Sequence, residues 1–214
     1  MNFDEFLKSF SKIENIPLPA ETSQFKMVPP FRQELLKKHI SEMKNAKKAG
    51  VLALFYPNKL NETTLVLILR KTYKGVHSAQ IGFPGGKLEE EDTSLEAAAI
   101  RETYEEVGVP INDIEVFREL TEVYIPPSNF YVQPFIGICR VTPNFIRQES
   151  EVEDILEVPL TQFLMQKSVV KKPVSTSYNV EVEVPAFKLN GHIVWGATAM
   201  MLSEIKDLLH KVLE

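Results

Sequence analysis

The sequence is poor in cysteine and in long apolar runs. Cys139 is the single cysteine among 214 residues, and a lone cysteine cannot form a disulfide within the chain. Because Cys139 lies in an apolar run, we interpret it as a small core residue. The apolar runs are too short to span a bilayer, and the first ten residues lack the basic start and apolar centre of a secretory leader. We therefore expect a cytoplasmic chain with no membrane partner.

Positive charge is also scarce. The chain has 24 Lys and Arg against 29 Asp and Glu, which gives a formal net charge of −5 at pH 7, and no stretch is strongly basic. Proteins that bind nucleic acid neutralise its phosphates with clustered Lys and Arg, so nucleic acid is not an expected partner. The four histidines are too scattered along the sequence for a zinc site. An acidic protein that handles phosphates needs metal ions to screen its own carboxylates.

Helical patterns and a proline-rich stretch precede residue 51. Apolar side chains recur at helical spacing over residues 2–13. A second helix is predicted over residues 32–48, ending at Gly50 in a left-handed cap. Between these helices, residues 16–31 contain four prolines and are typical of irregular chain.

From residue 51 onward, short apolar runs alternate with turns and helical patterns. Strands are predicted at residues 51–55, 64–69, 80–83, 115–125, 132–141, 155–158, 179–188 and 192–195. The Asn190-Gly191 pair is a strong hairpin signal, and residues 197–213 predict a final amphipathic helix. Interleaved strands and helices predict one α/β domain over residues 51–214, with residues 1–50 as a helical extension packed on it.

The middle of the domain contains a helix with strong boundary signals. Thr93 suits its N-cap and Glu96 its third helical position, and a glycine at position 108 is typical of a C-terminal stop. At 100° per residue, the side chains expected on its buried face are Ile100, Thr103, Tyr104 and Val107.

The opposite face of this helix concentrates charge. Arg101, Glu102, Glu105 and Glu106 share it over about one turn. Like charges at this spacing cost about 0.2–0.5 kcal/mol per pair, and the helix dipole disfavours each anion in the last turn by about 0.3–1 kcal/mol. A divalent cation would remove both penalties, and Mg²⁺ prefers oxygen ligands together with substrate phosphates. A solvated acidic face is the alternative interpretation.

A glycine turn precedes the acidic helix. Gly85 and Gly86 allow a sharp bend and a close approach of the backbone to a metal or a phosphate. Arg70, His77 and Gln80 lie ahead of the turn and are candidate phosphate contacts. For each of the three, an ordinary role at a strand end or in a loop is the alternative interpretation.

Residues 86–109, GKLEEEDTSLEAAAIRETYEEVGV, resemble the Nudix box, Gly-x5-Glu-x7-Arg-Glu-U-x-Glu-Glu-x-Gly-U, in which U is bulky and apolar. The matching residues are Arg101, Glu102, Glu105, Glu106, Gly108 and Val109. Thr103 occupies a U position, and Asp92 replaces the first Glu with one additional residue before Arg101. The resemblance implies an α/β/α sandwich with a mixed β-sheet, and metal-dependent hydrolysis of a diphosphate bond.

Residues 65–86 and 194–198 resemble the coenzyme A pyrophosphatase branch of the same superfamily. Arg70 and the Phe-Pro-Gly-Gly sequence at 83–86 fit its pattern, whereas Lys71, Gly75 and Ala79 depart from it. The resemblance implies a small-molecule nucleotide substrate, coenzyme A or a derivative, cleaved to 3′,5′-ADP and phosphopantetheine. Hydrolysis of ADP-ribose or a dinucleotide, a non-catalytic nucleotide-binding role and a homodimer all stay open.

The combined hypothesis assigns the acidic residues to metal binding. Glu102 and Glu106 bind Mg²⁺ or Mn²⁺ directly, Glu105 binds an ion or its water, and by family resemblance the Gly85 carbonyl is a further ligand. The ions neutralise the diphosphate and lower the pKa of the attacking water, whose proton a carboxylate of the cluster accepts. Glu151 lies where the family often has another acidic residue, although an exposed loop carboxylate is an equal alternative.

Overall fold

The computed structural model describes residues 1–71, 80–175 and 181–213. Its α-helices are α1 Phe3–Phe10, α2 Ala20–Gln24, α3 Arg32–Lys38, α4 Leu95–Val107, α5 Leu160–Leu164 and α6 Gly196–Leu213. Its strands are β1 Lys47–Pro57, β2 Thr63–Arg70, β3 Ile81–Gly82, β4 Gly85–Lys87, β5 Ile114–Glu119, β6 Val123–Ile125, β7 Phe130–Cys139, β8 Val152–Pro159, β9 Val169–Ser175, β10 Glu181–Leu189 and β11 His192–Val194. In these parts of the chain, every helix is too short or too polar to cross a bilayer.

The main sheet is mixed and is built around β1. Its strands follow the order β3-β2-β1-β7-β5, with β1 parallel to β7 and antiparallel to β2 and β4. Strand β6 extends the pairing of β7, and β8 pairs with β2. A second, antiparallel sheet has the order β11-β10-β9. The predicted turn at Asn190-Gly191 joins β10 to β11 with φ angles of +48° and +83°, which confirms the hairpin signal.

Both faces of β1 are buried, in the alternation expected of a strand between two layers. Leu52, Leu54 and Tyr56 join the apolar cluster under α4, while Val51 and Phe55 join the cluster under α1 and α6. Helices therefore cover the mixed sheet on both sides, which confirms the expected α/β/α sandwich. Cys139 is 1% exposed within the α4 layer, as expected of a small core residue.

The N-terminal segment, residues 1–46, packs on the sheet and on α6. The ring of Phe6 lies 5.3 Å from that of Phe55, so the core under α6 continues into α1. The amide of Gln24 donates to the buried carboxylate of Glu204 at 2.9 Å. These contacts fix the N-terminal segment through both apolar and polar groups.

The predicted helix over residues 32–48 is wrong beyond Lys38. Strand β1 begins at Lys47, because this stretch pairs with β7 on one side and with β4 on the other. Gly50 is therefore an interior strand residue and not a helix cap. A Cβ at Gly50 would stand 2.0 Å from the Leu95 carbonyl oxygen, so the glycine allows α4 to approach β1. The stretch expected to be irregular, residues 16–31, contains the short helix α2.

Helix α4 begins one residue later than predicted, and a different face of it is buried from the one expected. Ser94, not Thr93, is the N-cap, and its Oγ accepts from the Ala97 N–H at 3.1 Å. The helix stops as expected at Gly108, whose φ is +76°. Tyr104 was expected to be buried but is 51% exposed, whereas Glu106 was expected on the open face but is 1% exposed. Small residues at 98 and 99 let α4 lie close to β1, and this packing turns Glu106 inward.

Candidate functional site

A cavity of about 410 Å³ opens beside the glycine turn and the middle of α4. Arg32 of α3 lines it, and the part of its wall beside the glycine turn comes from β2, β4, α4 and the segment before β8. The residues there are Arg70, Gly85, Gly86, Lys87, Glu102 and Glu151. This size is within the range of pockets that enclose small-molecule ligands. The two sequence features, the glycine turn and the acidic helix, therefore meet at one concave site.

The glycine turn contacts two glutamates of α4. The Gly85 N–H donates to Glu106 Oε2 at 2.8 Å. At Gly86, a Cβ would stand 2.3 Å from the carboxyl carbon of Glu102. Gly86 was predicted to let the backbone approach a ligand, and in the structure the group that approaches it is the Glu102 side chain. The absence of a side chain at position 86 thus determines where the Glu102 carboxylate lies.

Glu106 is a buried carboxylate with one oxygen left without a hydrogen bond. Its Oε1 has no hydrogen-bond donor and lies 3.3 Å from Nη1 of Arg70. Burial raises the pKa of Glu106 to about 7, and the nearby Glu102 and Glu151 carboxylates add to this, while Arg70 and the Gly85 N–H act in the opposite direction. A buried oxygen without a donor is costly and marks a place where a cation can bind.

Arg70 contacts two groups predicted to bind metal. Besides its ion pair with Glu106, its Nη2 donates to the Gly85 carbonyl oxygen at 2.8 Å. Arg70 was predicted as a phosphate contact, and the structure places its guanidinium in the cavity wall beside the turn. Gln80, another predicted phosphate contact, also lines the cavity, and its carbonyl accepts from the Arg70 N–H at 3.0 Å. His77, the third, lies outside the described residues.

Arg101 links three carboxylates. It forms two hydrogen bonds with Asp92, at 3.0 and 2.9 Å, and its Nη1 donates to Glu102 at 2.9 Å and to Glu105 at 3.1 Å. This ion pair holds the pKa of Asp92 below its usual range. Sequence reasoning left the role of Asp92 open, because the loop before α4 is one residue longer than in the standard box. In the structure Asp92 fixes the guanidinium that in turn contacts Glu102 and Glu105.

The remaining carboxylates differ in their access to the cavity. Glu102 is half-buried in the cavity wall, and burial raises its pKa, with Arg101 opposing and Glu105 and Glu151 adding to the rise. Glu151 lines the same cavity and is exposed. Glu105 has a side chain that is 44% exposed and is held at Arg101. The structure thus groups Glu102, Glu106 and Glu151 electrostatically and leaves Glu105 at the rim.

The charges of these residues suit a divalent cation, although their carboxylates do not converge on one point in this structure. Across residues 1–71, 80–175 and 181–213, no three His, Cys, Asp or Glu side chains stand close enough to hold one ion together. The fit rests on the Glu106 oxygen without a donor and on the mutual repulsion of the neighbouring carboxylates. Arg70 supplies the positive charge beside Glu106 in this arrangement.

Comparison with known proteins assigns the family. The NUDIX domain family matches residues 46–177. The structure is similar to a Nudix hydrolase of M. smegmatis, RenU, with a TM-score of 0.54 at 13% identity over 78% of this chain and 88% of that one. It is also similar to a MutT protein of Methanosarcina mazei Go1, with a TM-score of 0.50 at 16% identity over 78% and 97% of the two chains. The chain therefore belongs to the Nudix family and is a Nudix hydrolase.

Two curated proteins are similar to this chain in sequence. The uncharacterized Nudix hydrolase NudL of Yersinia enterocolitica is 30% identical over 144 residues, which cover 67% of this chain and 73% of that protein. The peroxisomal coenzyme A diphosphatase ndx-8 of Caenorhabditis elegans is 33% identical over 117 residues, covering 54% of this chain and 50% of that protein. The expected resemblance to the coenzyme A pyrophosphatase branch is thereby confirmed.

Proposed function

We propose that this hydrolase cleaves the diphosphate bond of a nucleoside diphosphate-linked small molecule, with coenzyme A or a derivative as the leading substrate. The observation that carries the proposal is the buried Glu106 carboxylate, with one oxygen lacking a donor, which lies directly behind the cavity-lining residues Gly85 and Arg70. Similarity to a coenzyme A diphosphatase supports the substrate, although this chain spans half the length of that relative. The catalytic unit in this proposal is residues 51–214.

A divalent ion, Mg²⁺ or Mn²⁺, would be held by Glu102 and Glu106, with Glu105 and the Gly85 carbonyl as further ligands. When bound, the ion supplies positive charge against the diphosphate and lowers the pKa of a bound water. The protein positions these ligands by the contacts described above, since Gly86 leaves room for the Glu102 carboxylate and Arg101 holds Glu102 and Glu105.

The remaining side chains of the site have proposed roles of their own. Arg70, released from Glu106 and Gly85, and Gln80 contact the substrate phosphates. A carboxylate of the cluster accepts the proton of the attacking water. Glu151 is a candidate, because it lies near enough for its charge to raise the pKa of both Glu102 and Glu106. His77 keeps its predicted role as a phosphate contact.

The test uses purified protein with coenzyme A, ADP-ribose or NADH, each with Mg²⁺ or Mn²⁺, and chromatographic identification of products. We expect 3′,5′-ADP and phosphopantetheine from coenzyme A. Glu106→Gln should reduce kcat by about 1,000-fold or more, because loss of a metal ligand removes several kcal/mol of charge stabilisation in the transition state. The exposed Glu91→Gln is the matched control and should retain full activity. No turnover of any of the three substrates with either ion would favour a non-catalytic binder and overturn the proposal, as would full activity of Glu106→Gln.

A further inference from the structure

The cavity has a positively charged group well away from the glycine turn. The Arg32 guanidinium lines the cavity from the start of α3, and one of its N–H groups donates to the Tyr124 carbonyl on β6 at 2.7 Å. Strands β1 and β7 lie between β6 and β4, so three strand spacings, about 14 Å, separate that carbonyl from the glycine turn. Arg32 therefore lies in a different part of the cavity wall from Glu102.

Arg32 carries its charge without an acidic partner. In the described part of the chain, no Asp or Glu forms an ion pair with it, whereas Arg70 pairs with Glu106. Burial lowers the pKa of the Arg32 guanidinium. A guanidinium has five N–H donors, and the bond to Tyr124 uses one of them. A partly buried charge of this kind is costly unless an anion pairs with it.

A hydroxyl without a partner lies in the same part of the wall. Ser128 lines the cavity from the turn at residues 126–128, which packs against α3, and among the described residues its buried Oγ has no hydrogen-bond partner. This turn is held in shape, since the Tyr124 hydroxyl donates across it to the side chain of Asn129 at 2.9 Å. The Ser128 hydroxyl can therefore donate to a bound group without giving up a protein acceptor.

Together, these two groups favour an anion over an apolar group or a base. An apolar group would leave both the Arg32 charge and the Ser128 hydroxyl unpaired. A neutral base could accept their hydrogen bonds but would not balance the charge. A phosphate does both, because guanidinium and phosphate form charge-assisted and often bidentate hydrogen bonds. Of coenzyme A, ADP-ribose and NADH, only coenzyme A has an anion besides its diphosphate, the phosphate on its ribose.

We infer that Arg32 and Ser128 form a second anion subsite, which binds a phosphomonoester on the ribose of the nucleotide while the diphosphate lies near Glu102. The inference rests on the proposed function and adds to it a specificity determinant, Arg32, that precedes the NUDIX match at residues 46–177. The subsite selects nucleotides with this additional phosphate over those without it. It contributes to binding, and no bond is made or broken there.

The experiment compares substrates that differ by this phosphate alone. With Mg²⁺ present, kcat/KM is measured for coenzyme A and dephospho-coenzyme A, and for NADPH and NADH, so that the two pairs distinguish a 3′- from a 2′-phosphate. Wild type should prefer the phosphorylated member of at least one pair by about tenfold or more, as expected of hydrogen bonds to a charged group. Arg32→Gln should bring this ratio close to one. Ser128→Ala should lower it by about threefold to tenfold, and Arg32→Lys should retain part of it.

Arg118→Ala is the matched control for the loss of an arginine that anchors the N-terminal segment. Arg118 also donates to main-chain carbonyls of that segment, those of Ile13 and Glu14, but it does not line the cavity. Its variant should therefore keep the wild-type ratio. Ser128→Ala leaves the bond between Arg32 and Tyr124 in place, so it tests the subsite independently of the anchor. A thermal melt of each variant establishes that it is folded before kinetics are compared.

A binding measurement separates the inference from the proposed function, because it requires no turnover. In calorimetric titrations, wild type should bind adenosine 3′,5′-bisphosphate or adenosine 2′,5′-bisphosphate about tenfold more tightly than AMP, and Arg32→Gln should bind all three alike. If no substrate is hydrolysed but this difference is seen, the proposed function fails and the subsite stands. If neither is seen, both fail.

Two kinetic outcomes overturn the inference and leave the proposed function intact. The first is hydrolysis with no preference within either pair, or with a preference that is unchanged in both Arg32→Gln and Ser128→Ala. The second is an equal loss of kcat/KM for both members of a pair in Arg32→Gln, which would show that Arg32 contacts a group that they share, such as the base.

Discussion

Arg70 and Glu106 form an ion pair beside the glycine turn, with Nη1 of Arg70 3.3 Å from Oε1 of Glu106. The same guanidinium donates to the Gly85 carbonyl at 2.8 Å. Both acceptors are groups that the sequence predicted as metal ligands. Arg70 therefore neutralises Glu106 and satisfies Gly85 with a monovalent positive charge, at the place where a divalent ion is proposed to bind.

Removal of Arg70 should strengthen metal binding in the absence of substrate. A hydrogen bond to a charged group is worth about 1.5–3 kcal/mol, so an ion that no longer competes with Arg70 should bind Arg70→Ala about tenfold or more tightly. Mn²⁺ titration followed by electron paramagnetic resonance at pH 8 measures this affinity. Arg140→Ala is the control, because Arg140 pairs with Glu115 on the exposed surface. An affinity that is unchanged or weaker in Arg70→Ala would contradict this role.

The raised pKa of Glu106 should make stability depend on pH. Its pKa rises from an ordinary 4.5 to about 7, which corresponds to about 3 kcal/mol at about 1.4 kcal/mol per pH unit. Between these pH values the folded protein keeps a proton that the unfolded chain has released, so this contribution is present below pH 4.5 and is lost as pH rises through 7. Urea unfolding in EDTA should show wild type losing stability relative to Glu106→Gln from pH 5 to pH 8. Parallel pH profiles for the two proteins would argue against a raised pKa.

Asp92 is not proposed to contact the substrate, but its substitution should still impair catalysis. Asp92→Asn removes the charge that holds Arg101, so Glu102 and Glu105 lose a fixed partner. Loss of a group that orients metal ligands typically costs about 10–100-fold in activity or metal affinity. Steady-state kinetics over a range of Mg²⁺ concentrations measure both. Glu89→Gln is an exposed control from the same loop, and wild-type kinetics in Asp92→Asn would refute the positioning role.

Gly86→Ala should leave the fold intact and inactivate the site. The atoms that a Cβ would meet at 2.3 Å belong to the end of the flexible Glu102 side chain, so the carboxylate can move aside without disturbing the backbone. We expect a melting temperature close to that of wild type and a loss of activity of about 100-fold or more, as for a misplaced catalytic group. Gly82→Ala is the matched control, because its nearest neighbours are 3.9 Å from the added carbon. Similar activities in the two variants would count against the proposal that Gly86 determines the position of the Glu102 carboxylate.

Local signals predicted much of the fold. Gly108 ends α4 and Asn190-Gly191 forms the hairpin, because each requires only a local backbone conformation that these residues favour. The helix expected over residues 32–48 failed because pairing with β4 and β7 overrides helical propensity from Lys47 onward. Such non-local pairing leaves little trace in the local pattern.

The candidate site was predicted in composition but not in arrangement. The spacing of Arg101, Glu102 and Glu105 placed them together, and the structure brings them into contact. The burial of Glu106 was not predicted. The expected buried face was centred on the bulky Ile100 and Tyr104, whereas the face that packs on β1 contains small residues at 98 and 99. The contact of Arg70 with Glu106 spans 36 positions in the sequence, and no periodicity encodes a contact of that kind.

The most direct test of the central claim is a Mn²⁺ titration of wild type and Glu106→Gln, each with and without adenosine 3′,5′-bisphosphate as a product ligand. The account predicts saturable binding to wild type that is tighter with the nucleotide and at least about tenfold weaker in Glu106→Gln, because the buried carboxylate is a proposed metal ligand. Equal Mn²⁺ binding by the two proteins, or no binding by wild type under either condition, would contradict it.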